Sequence, residues 1–331
     1  MKRPLFKVIT VFICGAGASL ALPPTGWLLA ALGLSIPVIL AMRASRPAFG
    51  ALLFGMGGFG WFTASLYWIA NALFVKGGVQ LLLLPFAVLG LPLLLSLFWM
   101  AAAYLALRLS AHIPTRLVFL ACFWGLAEWL RSFVLTGFPW NVTGHIFAEN
   151  LLLAQMAAYT GQDGLNILAG LFITSAAALY LRAFSASMWM GVPVFLMLGL
   201  SLIRFSNLPP IDAQDSIIRL IQPNIAQIEK WDRARKSEHI SRMIKLASQP
   251  ASPAALTILP EAAITGFWRD ERDGVQALAQ AITPRNGVLL TGILSADSEK
   301  NFFNSAFFLH HSGGLLGQYH KQHLVPFGEY I

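Results

Sequence analysis

Apolar residues run through the first two-thirds of the chain in long blocks, separated by short clusters of Gly, Pro and basic residues. Seven blocks approach the roughly 20 residues that a helix needs to cross about 30 Å of hydrocarbon. They lie at 5–22, 26–42, 48–75, 79–107, 116–136, 165–182 and 187–205. The third and fourth are long enough to tilt or to project beyond the hydrocarbon. Residues 151–160 are apolar but too short to span, and the break Gly161-Gln162-Asp163-Gly164 that follows predicts a re-entrant or interfacial half-helix. From Ser216 the pattern changes to short β-rich runs separated by helical stretches. Strands are predicted at 217–222, 256–259, 287–294, 304–309 and 315–320, and helices at 227–247 and 271–282. Such alternation argues for a layered α/β fold.

Composition turns this pattern into a division of the chain. With 56% apolar and 11% charged residues and a mean hydropathy of +0.65, the whole is a membrane protein. Residues 1–206 carry 14 charged side chains, 11 of them basic, whereas 207–331 carry 24 of balanced sign. The expected organisation is therefore 1–206 as a transmembrane domain of about seven helices and 207–331 as a polar domain. The net charge of +8 sits in the membrane half, so it reflects basic loops rather than a nucleic-acid-binding face.

Orientation follows from the distribution of Lys and Arg. With the N-terminus inside, Lys2, Arg3, Lys7, Arg43, Arg46, Arg108, Arg116 and Arg182 fall at cytoplasmic ends, against Lys76 and Arg204 at outer ends. Met1-Lys2-Arg3 and the apolar run after it are read as a retained first span, since no small-residue cleavage site stands out. Seven spans then deliver the polar domain to the outer face.

Few residues within the spans can carry chemistry. Glu128 and Arg131 are spaced to pair on one helix face near an outer end, either as a functional site or as an ion pair joining helices. Trp61, Trp68, Trp99, Trp124 and Trp129 are read as packing or interfacial residues, and the glycines of Gly55-Met56-Gly57-Gly58-Phe59-Gly60 as close helix packing. Cys14 and Cys122 lie in apolar runs and build neither a disulfide framework nor a zinc site. In the polar domain Glu261 ends an apolar strand among nonpolar neighbours, where desolvation would suit a general base. Lys321 follows another strand and could stabilise an oxyanion. His310 and His311 point to opposite sides of a strand on this reading, and no metal or cofactor is expected.

The ordered segments Leu256–Glu261, Thr291-Gly292-Ile293, Asn304-Ser305-Ala306 and Tyr319–Glu329 resemble the motifs of the nitrilase, or carbon–nitrogen hydrolase, superfamily. Joined to a multi-span half with Glu128-Trp129-Leu130-Arg131 and Gly137-Phe138-Pro139-Trp140, the pattern is similar to the apolipoprotein N-acyltransferases. The resemblance implies a polytopic α-helical membrane domain plus an extracytoplasmic α/β nitrilase-like (αββα sandwich) domain, at the outer face of a bacterial inner membrane. It also implies ping-pong transfer of an acyl chain from a phospholipid, typically phosphatidylethanolamine, to the α-amine of the diacylglyceryl-cysteine of an apolipoprotein.

By residue match, Glu261 would be the base, Lys321 the oxyanion stabiliser and Glu329 a second essential carboxylate. Trp231 would lie on an arm near the lipid entrance, while Trp140, Arg131 and Asp163 would floor a lateral cavity for the substrate. The family's nucleophilic Cys, the rest of the sheet and a last membrane helix are expected beyond Ile331, making the domain incomplete at its C-terminus; without that thiol no thioester forms. Two other readings stay open: a membrane-tethered amidase or nitrilase that uses water as acceptor, and a transporter with an extracytoplasmic binding domain. The second would require ionisable residues deep in several spans, where only Glu128 and Arg131 occur.

Overall fold

A computed structural model describes residues 2–208, 217–249, 254–282, 287–299 and 301–324. The chain divides into two compact units, Met1–Pro209 and Pro210–Ile331.

In the first unit six helical segments among the described residues are long and apolar enough to cross a membrane: Pro4–Ala21, Pro47–Phe74, Gly78–Leu109, Ile113–Leu130, Ala157–Tyr180 and Phe184–Ser206. This is a multi-pass membrane domain. The expected second span corresponds to a shorter apolar helix, Leu28–Met42, so six rather than seven segments reach spanning length. The shortening has local causes. Gly26 takes a left-handed φ of 64° just before the helix, and Leu28–Leu34 at its start is a 3₁₀ stretch.

Close backbone approach and large buried side chains both fill the apolar interior. A Cβ on Gly15 would overlap the Gly57 carbonyl oxygen, and one on Gly60 would overlap that of Phe12. These glycines let the Lys2–Ala18 and Pro47–Leu66 helices approach at backbone distance, the close packing expected from sequence. Trp61, Trp99 and Trp124 are fully buried, with the Trp99 and Trp124 rings edge-to-face at 4.7 Å. Trp68 and Trp129 are partly exposed, at the surface of this unit.

The expected break at Gly161 is present. Its φ of 63° and ψ of −173° interrupt the segment Ala157–Tyr180, and Asn150 caps the short helix Leu151–Ala154 ahead of it by accepting from the amides of Leu152 and Leu153.

The second unit contains a mixed six-stranded sheet: β1 Ile218–Leu220, β2 Leu256–Ile258, β3 Ile264–Phe267, β4 Val288–Ala296, β5 Phe302–His310 and β6 Leu315–His320. The order is β1-β2-β4-β5-β6, with β3 pairing the end of β4. Pairings β1–β2, β2–β4 and β3–β4 are parallel; β4–β5 and β5–β6 are antiparallel. The helices Lys236–Ala247 and Arg272–Ile282 supply Met243, Ala247, Val275, Leu278 and Ala279 to a core with Leu289, Ile293, Phe307 and Leu309. Strand alternation puts Asn304, Ala306 and Phe308 on the opposite face from Ser305, Phe307 and Leu309.

Two expectations change here. The helix expected over 227–247 is broken into Gln227–Lys230, a 3₁₀ turn Arg233–Arg235 and Lys236–Ala247, because Asp232 turns its carboxylate onto the Ala234 amide at 2.9 Å. Strand β3, Ile264–Phe267, is not among the strands expected from sequence.

Candidate functional site

The turn after β2 holds Glu261, and four other chain segments converge on it. Ala262 adopts a left-handed φ of 46°, which turns the chain sharply after Glu261. The turn lies against β4 at Gly292: a Cβ there would overlap the Ala262 amide nitrogen and lie 2.9 Å from Glu261 Cα. Glycine is needed at 292 for this approach.

Glu261 Oε1 accepts from Asn304 Nδ2 of β5 at 2.6 Å. Lys321, immediately after β6, brings its Nζ to 3.4 Å from the same oxygen. The residues are brought together by register: Lys321 N donates to Asn304 O at 2.9 Å, extending the β5–β6 pairing by one step. On the opposite face the adjacent residues make a polar chain, with Ser305 Oγ 2.8 Å from His320 Nδ1 and 2.7 Å from Ser295 Oγ. That chain crosses β4, β5 and β6 and holds the register that aligns Asn304 with Lys321.

The desolvated environment expected for Glu261 is not found. Its side chain is 66% exposed, because the apolar neighbours Ala263 and Ile264 turn into the helix-covered core while Glu261 stays on the turn. What surrounds the carboxylate is polar and cationic. A carboxylate beside an ammonium suits proton transfer next to a centre where negative charge develops.

Two contributors escaped the sequence reading. Asn304 stood in a recognised motif but received no role. Lys230 received none either, yet its Nζ donates to the Glu261 carbonyl at 3.1 Å. Burial pulls the Lys230 ammonium below the ordinary lysine range, and the Glu261 carboxylate acts against that shift. Trp231, next in the chain, is 52% exposed. Glu329 lies outside the described residues.

In the membrane unit Arg131 is buried. Its Nε donates to Glu128 Oε2 at 2.7 Å, its Nη1 to the carbonyls of Phe138 and Trp140 at 2.7 and 3.0 Å, and its Nη2 again to Trp140 O at 3.0 Å. Trp99 Nε1 donates to the other Glu128 oxygen at 2.9 Å. Arg131 thereby organises the loop that displays Trp140. That loop is unusual in its backbone: Leu135, Thr136, Gly137 and Asn141 all have positive φ. Asn141 ties its end to the Pro47–Leu66 helix through Ser65 O at 2.9 Å. The Trp140 ring is half exposed and lies 4.8 Å from Trp68.

Neither cysteine belongs to the polar unit. His310 and His311 do meet, with rings 4.2 Å apart, because His311 lies past the end of β5 and so does not follow strand alternation. Among the described residues no group of three His, Cys, Asp or Glu side chains is placed to hold a metal.

Comparison with known proteins matches both units in order. The apolipoprotein N-acyltransferase N-terminal domain matches residues 14–176, and the carbon–nitrogen hydrolase domain matches 217–331. Apolipoprotein N-acyltransferases of Allorhizobium ampelinum and Brucella suis are 33% and 32% identical to the chain, each over 98% of its length. That of Sinorhizobium medicae is 31% identical over 97%. The chain spans about 65% of the length of the first two of these relatives. Two domain matches in the family's order, and relatives of one name aligned along almost every residue, mean that the chain belongs to the apolipoprotein N-acyltransferase family.

Proposed function

We propose that the protein acts in bacterial lipoprotein maturation, moving an acyl chain from a phospholipid to the α-amine of the diacylglyceryl-cysteine of an apolipoprotein, with the polar unit on the periplasmic side of the inner membrane. The observation that carries this reading is the convergence of Glu261 Oε1 and Lys321 Nζ at 3.4 Å from positions 60 residues apart, beside Asn304. The excess of Lys and Arg at one set of loop ends argues for an inside N-terminus, and the periplasmic side then requires that Leu28–Met42 cross as a seventh span beside the six longer ones.

In this mechanism Glu261 accepts the proton of the cysteine thiol that the family resemblance implies. The thiolate attacks the phospholipid ester, Lys321 stabilises the tetrahedral oxyanion, and as this collapses to the thioester Glu261 gives its proton to the departing lysophospholipid oxygen and is a base again. The apolipoprotein amine then attacks the thioester; Glu261 takes its proton, and the thiol is regenerated. Glu329 serves as a second carboxylate orienting the site. Trp231 and Trp140 contact the lipid chains, and Arg131 contributes by fixing the Trp140 loop. A catalytic unit anchored beside the bilayer suits two substrates that are both membrane-anchored.

The test is acyl transfer by the whole protein in native membranes, from labelled phosphatidylethanolamine to a diacylglyceryl-cysteine peptide. Glu261→Gln and Lys321→Ala should each abolish transfer while the protein stays folded. Retention of full transfer by either variant would sink the assignment. A preference for another headgroup would replace phosphatidylethanolamine as donor.

A further inference from the structure

Glu261 is held at its side chain by Asn304 and Lys321, but its backbone is held from a different direction. The Glu261 carbonyl accepts from the ammonium of Lys230, the last residue of the short helix Gln227–Lys230. That helix and the 3₁₀ turn Arg233–Arg235 form a largely exposed segment between β1 and the Lys236–Ala247 helix. The segment is clasped on itself by an Arg235–Glu229 ion pair at 2.6 Å, both side chains being near half exposed, so that contact is well solvated and weak. The bond from Lys230 is of another kind. It is charge-assisted, its ammonium is partly desolvated, and it reaches the one turn whose geometry aims the candidate base.

We propose that Lys230 is a positioning residue: by holding the Glu261 carbonyl it fixes the turn at Glu261–Ala262 and fastens the Gln227–Arg235 segment to the end of β2. The consequence runs both ways. If the segment moves, the turn loses its donor and the Glu261 carboxylate loses its alignment with Asn304 and Lys321. If the turn is held, the segment, with Trp231 on it, is held too. The left-handed Ala262 makes the arrangement sensitive, because a non-glycine residue in that conformation persists only where its surroundings enforce it. Gly292 supports the turn from the sheet side, and Lys230 is the support from the other segment.

The catalytic part of this inference rests on the acyl-transfer reading above; the fastening does not, and two measurements separate them. Limited trypsin digestion of the whole protein in detergent, followed by mass analysis of cleavage after Arg233, reads the fastening alone. Lys230→Ala should raise that cleavage rate several-fold and Lys230→Arg should not; equal rates in parent and Lys230→Ala overturn the proposal whatever the activity. Steady-state transfer reads the positioning. Lys230→Ala should lower kcat about tenfold with little change in KM, and Lys230→Arg should recover most of it, since an arginine can still donate to the carbonyl. A Lys230→Ala enzyme with parental kcat, or an arginine variant no better than alanine, overturns the positioning role. Absence of transfer from the unsubstituted protein would overturn the reaction assigned to the site, and the digestion result would still decide the fastening.

Discussion

Arg131 Nε lies 2.7 Å from Glu128 Oε2, and neither side chain reaches solvent. The pair is bound on both sides: Trp99 occupies the second carboxylate oxygen, and two loop carbonyls occupy the guanidinium fork. Removing one member leaves the other charged and buried. Arg131→Met should therefore destabilise the membrane unit by about 3–5 kcal/mol, and Arg131→Lys should recover only part, because one ammonium cannot replace the planar fork. Thermal unfolding in detergent checks this. An unchanged midpoint with a selective loss of phospholipid use would instead make Arg131 a substrate contact.

Helix proximity in the same unit yields a paired comparison. A methyl group on Gly60 has nowhere to go, since the Phe12 carbonyl and the Ala16 amide nitrogen already fill the space, whereas Gly17 has open space where its Cβ would lie. Gly60→Ala should lower the thermal midpoint markedly, by an overpacking cost of about 1–3 kcal/mol or more. Gly17→Ala should leave it unchanged or raise it slightly through helix propensity. Equal behaviour of the two variants would contradict the close approach of the Lys2–Ala18 and Pro47–Leu66 helices.

What the sequence disclosed and what it hid follow from the same physics. Long apolar blocks revealed the membrane helices because length and hydropathy are local properties. Leu28–Met42 is apolar throughout, so composition does not set it apart from the six longer segments; the left-handed Gly26 before it and the 3₁₀ stretch that opens it are backbone features. Glu261 and Lys321 were legible as strand-end residues in recognisable motifs. Asn304 was not assigned, because strand alternation says only that Asn304 and Ser305 face opposite ways; the β4–β5 register decides which one meets Glu261. Lys230 was harder still. Its partner is a backbone carbonyl 31 residues away, and no side-chain pattern encodes that. Strand β3 is short, pairs irregularly with β4 and contains Gly266, so it carries little alternation to read.

The β4–β5 connection has its own acid sensitivity. Asp297 accepts from the Asn301 side chain at 2.8 Å and from the Asn301 and Glu299 amides at 2.9 Å each, and these bonds, the Asn301 side chain first, hold its carboxyl below the usual carboxylate range. A carboxyl depressed in the folded state stabilises the turn above its unfolded value of about 3.9 and loses that contribution as pH falls through the folded value. Amide exchange at Asn301 should accelerate, relative to neighbouring β5 amides, as pH drops below about 4. Asp297→Asn should show the faster exchange already at neutral pH. Protection that stays constant through the acid range would mean the turn is held by its backbone alone.

The approach of Gly292 to the Glu261 turn separates site geometry from stability. A methyl group at 292 would collide with the Ala262 amide nitrogen and crowd Glu261 Cα, so the turn must move outward while β4, paired on both sides, stays in place. A displacement of about 1 Å is enough to cost a catalytic group on the order of a hundredfold in rate. Gly292→Ala should therefore lower kcat by about ten- to a hundredfold, with a much smaller effect on unfolding of the polar unit. Gly317→Ala serves as the control: it lies in β6 with open space where a Cβ would be, so neither quantity should change much. If Gly292→Ala kept parental kcat, then Glu261 would tolerate displacement and its alignment with Asn304 and Lys321 would not be what sets the rate. If both variants lost stability equally, the effect would belong to the sheet and not to the turn that carries the carboxylate.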